Sequence, residues 1–195
     1  LKSVAEIKSG LRVNLKRALS NLDEASRASQ SASVIQSLIG SRVWAESGRI
    51  LFFSPMPDEV NLWPLLQRAL SEKEVFLPGY DPDRKVFVPR RLESENSLYT
   101  GKFGIREPSP TPDLKEGKPL DLILVPGLGF DRHGHRLGRG RGFYDRLLSE
   151  NRGLRCGACF DEQIIESIPT EPHDITLDFL VMPGQMVRFS DGRTT

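Results

Sequence analysis

Apolar residues return every three to four positions near the start of the chain: Val4, Ile7, Leu11, Leu15, Ala18 and Leu19. That spacing predicts an amphipathic helix over 2–19, with Lys8, Arg12, Lys16 and Arg17 off the apolar stripe. Those cations read either as a solvated basic face or, for Lys8 and Arg12 one turn apart, as a pair that reaches one anion. A second helix is expected to be capped by Ser20 or Asn21, with Asp23 and Glu24 in its first turn, and to run through Val34, Ile35, Leu38 and Ile39 to about Gly40. A short helical piece is expected over 42–46. Residues 49–53 then read as a buried strand, broken by Ser54-Pro55-Met56-Pro57-Asp58-Glu59. A third long helix begins at Asn61 and carries Leu65, Leu66, Ala69 and Leu70 inward. Further strands are expected at 74–77, stopped by Pro78-Gly79, and at 122–125, 154–159, 179–181 and 186–188. Between residues 81 and 112 the pattern weakens. Short β-like runs sit at 86–88 and 97–99, a loop or edge strand at 102–108, and a Pro/Ser loop at 108–112. Residues 168–174 also read as loop. Helices alternating with strands, then β-rich material, predict one α/β domain over 1–195, its mostly parallel (mixed) central sheet flanked by helices.

Composition narrows this picture only at its edges. The chain has 195 residues and a formal net charge of +1, so no global field draws it to nucleic acid or to a membrane surface. No apolar run approaches the roughly 20 residues that span a bilayer. The sequence holds 2 cysteines, Cys156 and Cys159, inside a predicted strand. Positions i and i+3 on a strand face opposite sides, so these thiols are expected to diverge rather than form a redox or zinc pair. So few cysteines fit a reducing compartment. The cytoplasm is expected; since the chain opens on Leu1 rather than Met, an organellar matrix stays open.

The chemistry concentrates in 120–149, LDLILVPGLGFDRHGHRLGRGRGFYDRLLS. A short apolar strand leads into a long loop. Then Gly138, Gly140 and Gly142 alternate with Arg139 and Arg141, and a helix starts near Phe143. Glycines let backbone approach a ligand, and a helix N-terminus offers free N–H groups to an anion. The two arginines add planar donor forks suited to phosphate. Asp145, about one turn into the helix, would repel a phosphate unless a cation lies between, so Mg²⁺ is implied. The run is neither a Walker A loop nor a dinucleotide fingerprint, because it lacks Gly-Lys-Ser/Thr and has the wrong glycine spacing. Asp58 and Glu59 follow a strand and precede a helix, where open α/β sheets hold ligands; they read equally as ordinary helix-start acids. His133, His135 and His173 are expected to be structural or solvent-facing rather than catalytic or metal-binding.

From Val125 to Asp145, VPGLGFDRHGHRLGRGRGFYD closely resembles the signature of the 5-formyltetrahydrofolate cyclo-ligase (5,10-methenyltetrahydrofolate synthetase) family. The resemblance extends to Lys8-x-x-x-Arg12, to Phe53 through Glu59, and to the segment from Phe160 to Asp174 and Asp178; it is weakest over 81–112. Phe143 stands where many members carry Tyr, and Ser54 falls at a substrate-lining position where an apolar side chain is usual. The resemblance implies the NagB/RpiA/CoA-transferase-like fold. It implies an ATP- and Mg²⁺-dependent ligase of one-carbon metabolism that converts 5-formyltetrahydrofolate, possibly polyglutamylated, to 5,10-methenyltetrahydrofolate, releasing ADP and phosphate. It assigns ATP contacts to Lys8, Arg12, Arg136, Leu137, Gly138, Arg139, Gly140, Arg141, Gly142, Phe143 and Tyr144. Folate contacts fall on Ser54, Glu59, Arg139, Gly140, Arg141, Gly142 and Phe143, the metal on Asp145 and Asp174, and the catalytic charges on Arg139, Arg141 and Lys8. Tyr144 either lines the site or packs the helix. A monomer is expected. Two rivals stand beside this reading. One is a phosphate-binding relative acting on another substrate, such as a sugar phosphate. The other is an RNA-binding homologue using the Arg-Gly run, against which stand the near-neutral charge and the missing aromatic platform. The joint presence of Lys8, Arg12, Glu59, Asp145 and Asp174 separates the ligase reading from the sugar-phosphate one; a salt-sensitive RNA shift without ATP turnover would favour the RNA reading.

Overall fold

In the computed structural model, which describes residues 2–101, 103–110 and 119–189, the first apolar stripe forms α1 (Val4–Ser20). Ser3 and Glu6 cap it reciprocally, each side chain accepting from the other's amide. The cap of α2 (Glu24–Ile39) is Asp23, not Ser20 or Asn21. The amides of Asn21 and Leu22 still bond back to Ala18 and Leu19, so the chain is free to turn only at Asp23, whose carboxylate accepts from Ser26 N at 2.7 Å. α3 (Arg42–Glu46) follows as expected, and β1 (Arg49–Leu51) ends two residues short of the predicted 49–53. α4 (Trp63–Ala69) starts later than Asn61, because the Asn61 side chain turns onto the Trp63 amide and Pro64 takes the first turn.

β2 (Glu74–Asp81) runs straight through Pro78-Gly79, which does not stop it. Its pairing with β1 ends at Phe76, and beyond that it pairs only with the edge strand β3 (Val86–Leu92), Pro78 facing Pro89. A proline there forfeits one donor without breaking a central ladder. Gly79 is required because the Arg90 side chain lies across it. β4 (Leu98–Thr100) and β5 (Arg106–Pro108) form a separate hairpin sheet. Lys102 and residues 111–112 of the Pro/Ser cluster lie outside the described residues. β6 (Leu122–Val125) leads into a small antiparallel hairpin, β7 (Gly129–Phe130) and β8 (Arg136–Leu137), and then into α5 (Phe143–Glu150). β9 (Leu154–Ala158), β10 (Phe179–Met182) and β11 (Gln185–Arg188) complete the sheet.

The sheet has seven strands in the order β11-β10-β9-β6-β1-β2-β3. β10, β9, β6, β1 and β2 are parallel, and the two edges are antiparallel. The central strands are buried on both faces, which is why β6 reads as an unbroken apolar run. Leu122, Leu124, Ile50 and Phe52 point into a core under α1, α2 and α4; Ile123, Val125 and Leu51 point into a second core against Leu147 and Leu148 of α5. Cys156 and Cys159 fall in these two different cores, so the thiols diverge as expected. Burial pushes the Cys156 thiol up to about 12 and the Cys159 thiol up as well, and neither is a nucleophile near neutral pH. Among the described residues no helix is long and apolar enough to cross a membrane.

The chain leaves β1 toward β2 on one side and leaves β6 toward β9 on the other. β1 and β6 are neighbours, so the strand order reverses between them. In open parallel sheets the crevice outside the carboxyl ends of two such strands is where ligands bind.

Candidate active site

A cleft of about 650 Å³ opens at that crevice. Ser54, Met56 and Glu59 enter it from the segment after β1, and Pro126 and Gly127 from the segment after β6. Every residue to which the sequence assigned an ATP, folate or metal contact lines it: Lys8 and Arg12 of α1, the turn 136–142, Phe143, Tyr144 and Asp145 of α5, and Asp174. Asp58 reaches it through Arg139. His173 lines the rim with an exposed side chain, while His133 and His135 stay outside the cleft.

The glycine turn is built by two positive-φ residues, Gly140 at 97° and Gly142 at 62°. Gly142 sits at the N-cap of α5, and no side chain caps that end. The first turn of α5 therefore presents its amide end to the cleft beside Gly138–Gly142. Arg12 locks the turn from α1: its Nε donates to Gly138 O at 2.9 Å, and its guanidinium lies against Gly140.

The cleft's charges are organised in three groups. Lys8 Nζ lies 2.6 Å from Asp174 Oδ2 and 2.9 Å from Glu171 Oε2. Burial works against the Lys8 charge, but the two carboxylates outweigh it and hold its pKa above the usual lysine range. Burial likewise opposes ionisation of Asp174, and Lys8 with the Glu171 amide more than compensates, lowering its pKa. Arg136, with a side chain only 5% exposed, donates to Asp145 Oδ1 at 2.6 Å. Arg139 bridges Asp58 at 2.6 Å and Glu59 at 3.0 Å. Burial raises the Glu59 pKa despite Arg139 and the Met56 amide. Arg141 is exposed, its guanidinium over the Phe103 ring.

One wall is aromatic. Phe143 meets Phe87 edge-on at 5.1 Å and Phe103 at 5.3 Å, and Tyr80 joins both partners. A phenol is not needed at position 143, because the ring is held by its edges. Tyr144 both lines the cleft and packs against the two cores; burial pushes its phenol pKa up, so it is neutral at physiological pH. Sequence reasoning missed Phe87, Phe103, Ile105 and Glu171 as lining residues. For Glu171 the signal was its place one turn of chain before Asp174; for the others only their apolar character was visible, and that reads as core.

Asp131 ties the site together from behind. Its carboxylate is fully buried. Oδ1 accepts from the amides of His133 and His135, and Oδ2 from Ile168 N and the His135 ring. This staples the β7–β8 hairpin, which delivers Arg136 to Gly138, onto the segment that runs to Glu171 and Asp174. Burial raises the Asp131 pKa, but those donors outweigh it and leave the pKa lowered. A lowered carboxylate contributes stability that is complete above its unfolded value of about 4 and is lost as pH falls through the folded value. Thermal unfolding across pH is expected to show that acid limb. In Asp131→Asn one amide N–H would face another, costing about 1–3 kcal/mol at neutral pH, and the acid limb would flatten. A midpoint unchanged at neutral pH would contradict the staple.

Two carboxylates in the cleft, Asp145 and Asp174, offer hard oxygen donors, and among the described residues no group of three or more His, Cys, Asp or Glu is gathered. Hard carboxylate oxygens are the donors Mg²⁺ prefers, and one or two of them suffice where phosphate oxygens complete its shell.

Comparison with known proteins gives one answer. The model of the 5-formyltetrahydrofolate cyclo-ligase family matches residues 4–183. A probable 5-formyltetrahydrofolate cyclo-ligase of Caenorhabditis elegans is 32% identical, over 97% of this chain and 98% of its own. The Mus musculus 5-formyltetrahydrofolate cyclo-ligase is 33% identical over 90% of this chain and 93% of its own. The solved structure of Aquifex aeolicus 5,10-methenyltetrahydrofolate synthetase superposes with a TM-score of 0.85 at 36% identity, covering 97% of this chain and 96% of that one.

Proposed function

The chain belongs to the 5-formyltetrahydrofolate cyclo-ligase family, and from that premise we propose that it closes 5-formyltetrahydrofolate to 5,10-methenyltetrahydrofolate at the expense of ATP, with Mg²⁺. The observation that carries this reading is the gathering of Lys8, Arg12, the 138–142 turn, Glu59, Asp145 and Asp174 around one cleft at the switch point of the sheet.

The chemical obstacle is the formamide, a weak electrophile whose oxygen is a poor leaving group. Transfer of the γ-phosphoryl group to the formyl oxygen makes an imidate phosphate and releases ADP. N10 then attacks the activated carbon and gives up its proton to solvent, the C–O bond breaks, and phosphate departs with that oxygen. Phosphoryl transfer needs positioning and charge neutralisation more than a protein nucleophile. The turn amides, Arg12, Arg139 and Arg141 supply donors for phosphate, with Lys8 one turn before Arg12 on α1. Asp145 and Asp174 would hold Mg²⁺, which supplies neutralisation of phosphate charge. Glu59, buried and kept beside Arg139, accepts from the pterin or a nearby substrate nitrogen. The aromatic wall of Phe87, Phe103 and Phe143 suits the flat rings of a folate. The same acids weigh against an RNA site, since five carboxylates, Asp58, Glu59, Asp145, Glu171 and Asp174, stand in or beside the cleft. We read the protein as a monomer of the cytoplasm or an organellar matrix.

The test is near-ultraviolet absorbance of the methenyl product in a mixture of protein, 5-formyltetrahydrofolate, ATP and Mg²⁺. A rise that needs every component supports the reading; no rise, with nucleotide still bound, would point to another substrate. Arg141→Ala is expected to raise the KM for ATP by about tenfold, the worth of one charge-assisted contact. Its thermal midpoint should not move, because the side chain is exposed. An unchanged ATP dependence would remove Arg141 from the phosphate cradle.

A further inference from the structure

We propose that Glu171 is the positioning residue of Lys8: it keeps that ammonium in the cleft when a divalent cation claims Asp174. The inference rests on the reading above and gives a role to a residue that reading leaves unused.

The charge count is the starting point. Lys8 has a side chain 7% exposed and touches two carboxylates, so the cluster carries one negative charge in excess. A single carboxylate would neutralise the lysine. The second has a purpose if the first is periodically withdrawn. The two acids are not equivalent. Asp174 Oδ2 already serves Lys8 at 2.6 Å and the Glu171 amide at 2.8 Å, and the Asp174 amide donates back to Glu171 O at 2.9 Å. Asp174 is thus fixed in a closed turn. Among the described residues the Glu171 carboxylate bonds only to Lys8, and it is the more exposed of the two, at 39% against 21%. When a cation claims Asp174 oxygens, the Lys8 ammonium would stand beside a dication without its nearer counter-charge and would be driven out of the cleft. Glu171, anchored by the same turn, holds it on the opposite side. Lys8 then keeps its aim at the phosphates while Asp174 is engaged elsewhere.

Two variants test this, Glu171→Gln and Glu171→Asp, each with the full chain and a non-hydrolysable ATP analogue at graded Mg²⁺. In Glu171→Gln, Lys8 depends on Asp174 alone, so cation and lysine compete for one carboxylate. The Mg²⁺ midpoint for analogue binding, read by calorimetry, is expected to rise about tenfold, the worth of one charge-assisted contact. The rate at which an amine-reactive reagent labels Lys8 in the saturated complex, read by mass spectrometry, should rise several-fold. Glu171→Asp, which keeps the charge, should recover a large part of both. A merely structural role would lower the thermal midpoint and leave the Lys8 labelling rate of the bound complex alone. An unshifted Mg²⁺ midpoint in Glu171→Gln, or labelling of Lys8 no faster than in the parent, overturns the proposal. Binding and labelling are read without turnover. A parent protein that binds the analogue but makes no methenyl product would sink the functional reading and leave this result to be judged separately.

Discussion

Asp145→Asn is expected to lower turnover by about a thousandfold or more, the scale of removing a ligand to an ion that neutralises phosphate in the transition state. The substitution is chosen for what the structure places behind Asp145. Its Oδ1 accepts from Arg136 at 2.6 Å, and the Arg136 side chain is only 5% exposed. Alanine would strand that guanidinium, so lost activity would be mixed with lost stability. Asparagine keeps the volume and one acceptor for Arg136 while removing the negative charge a divalent cation needs. The protein should therefore lose less stability than the alanine variant, because Arg136 keeps an acceptor though not its counter-charge, and bind nucleotide with weak Mg²⁺ dependence. Normal turnover at ordinary Mg²⁺ would take Asp145 out of the metal role.

Arg139→Ala should cost both folding and catalysis. Glu59 has a side chain 7% exposed, and Arg139 is its cationic partner at 3.0 Å, shared with Asp58. Without Arg139, two neighbouring carboxylates face each other with only the Met56 amide to hold Glu59. A broken buried pair costs about 3–5 kcal/mol; Arg139 is 30% exposed, so screening brings the expected loss nearer ~2 kcal/mol. Burial already raises the Glu59 pKa, and removing Arg139 raises it further. A raised carboxylate pKa gives stability that is present below the unfolded value and lost as pH rises through the folded one. The variant should therefore be most stable in mild acid and weaken toward neutrality. Adding Glu59→Gln removes the stranded charge and should restore stability without restoring activity. Chemical denaturation of the single and double variants checks this; a double variant no more stable than Arg139→Ala would contradict the pairing.

The contrast between what the chain announces and what it hides has a physical basis. β6 and α1 are legible because two-sided burial and a helical stripe each leave a periodic mark in the sequence. The turn 138–142 is legible because its glycines and arginines act within a few residues of each other. β2 is not: Pro78-Gly79 reads as a stop, and only the tertiary facts that β1 has ended and that Arg90 crosses Gly79 let the strand continue. The hairpin of β7 and β8 is too short to carry a period, two residues to a strand. The cap of α2 moved to Asp23 because α1 keeps its amides for longer than a local reading allows. The pairing of Glu171 with Lys8 was invisible for a different reason. The two lie 163 residues apart in the chain, and no local pattern records a contact of that range. Phe103 and Phe87 escaped because an aromatic residue on a lining wall and one in a core look alike until the fold leaves one of them facing a cleft.

The central claim is that ATP activates the formyl oxygen in this cleft, and an isotope reads it directly. The protein would be given 5-formyltetrahydrofolate carrying ¹⁸O in the formyl group, with ATP and Mg²⁺, and the released phosphate analysed by mass spectrometry. The account predicts one ¹⁸O atom in inorganic phosphate for each methenyl product formed. Methenyl product accompanied by unlabelled phosphate, with the heavy oxygen recovered in water, would contradict it.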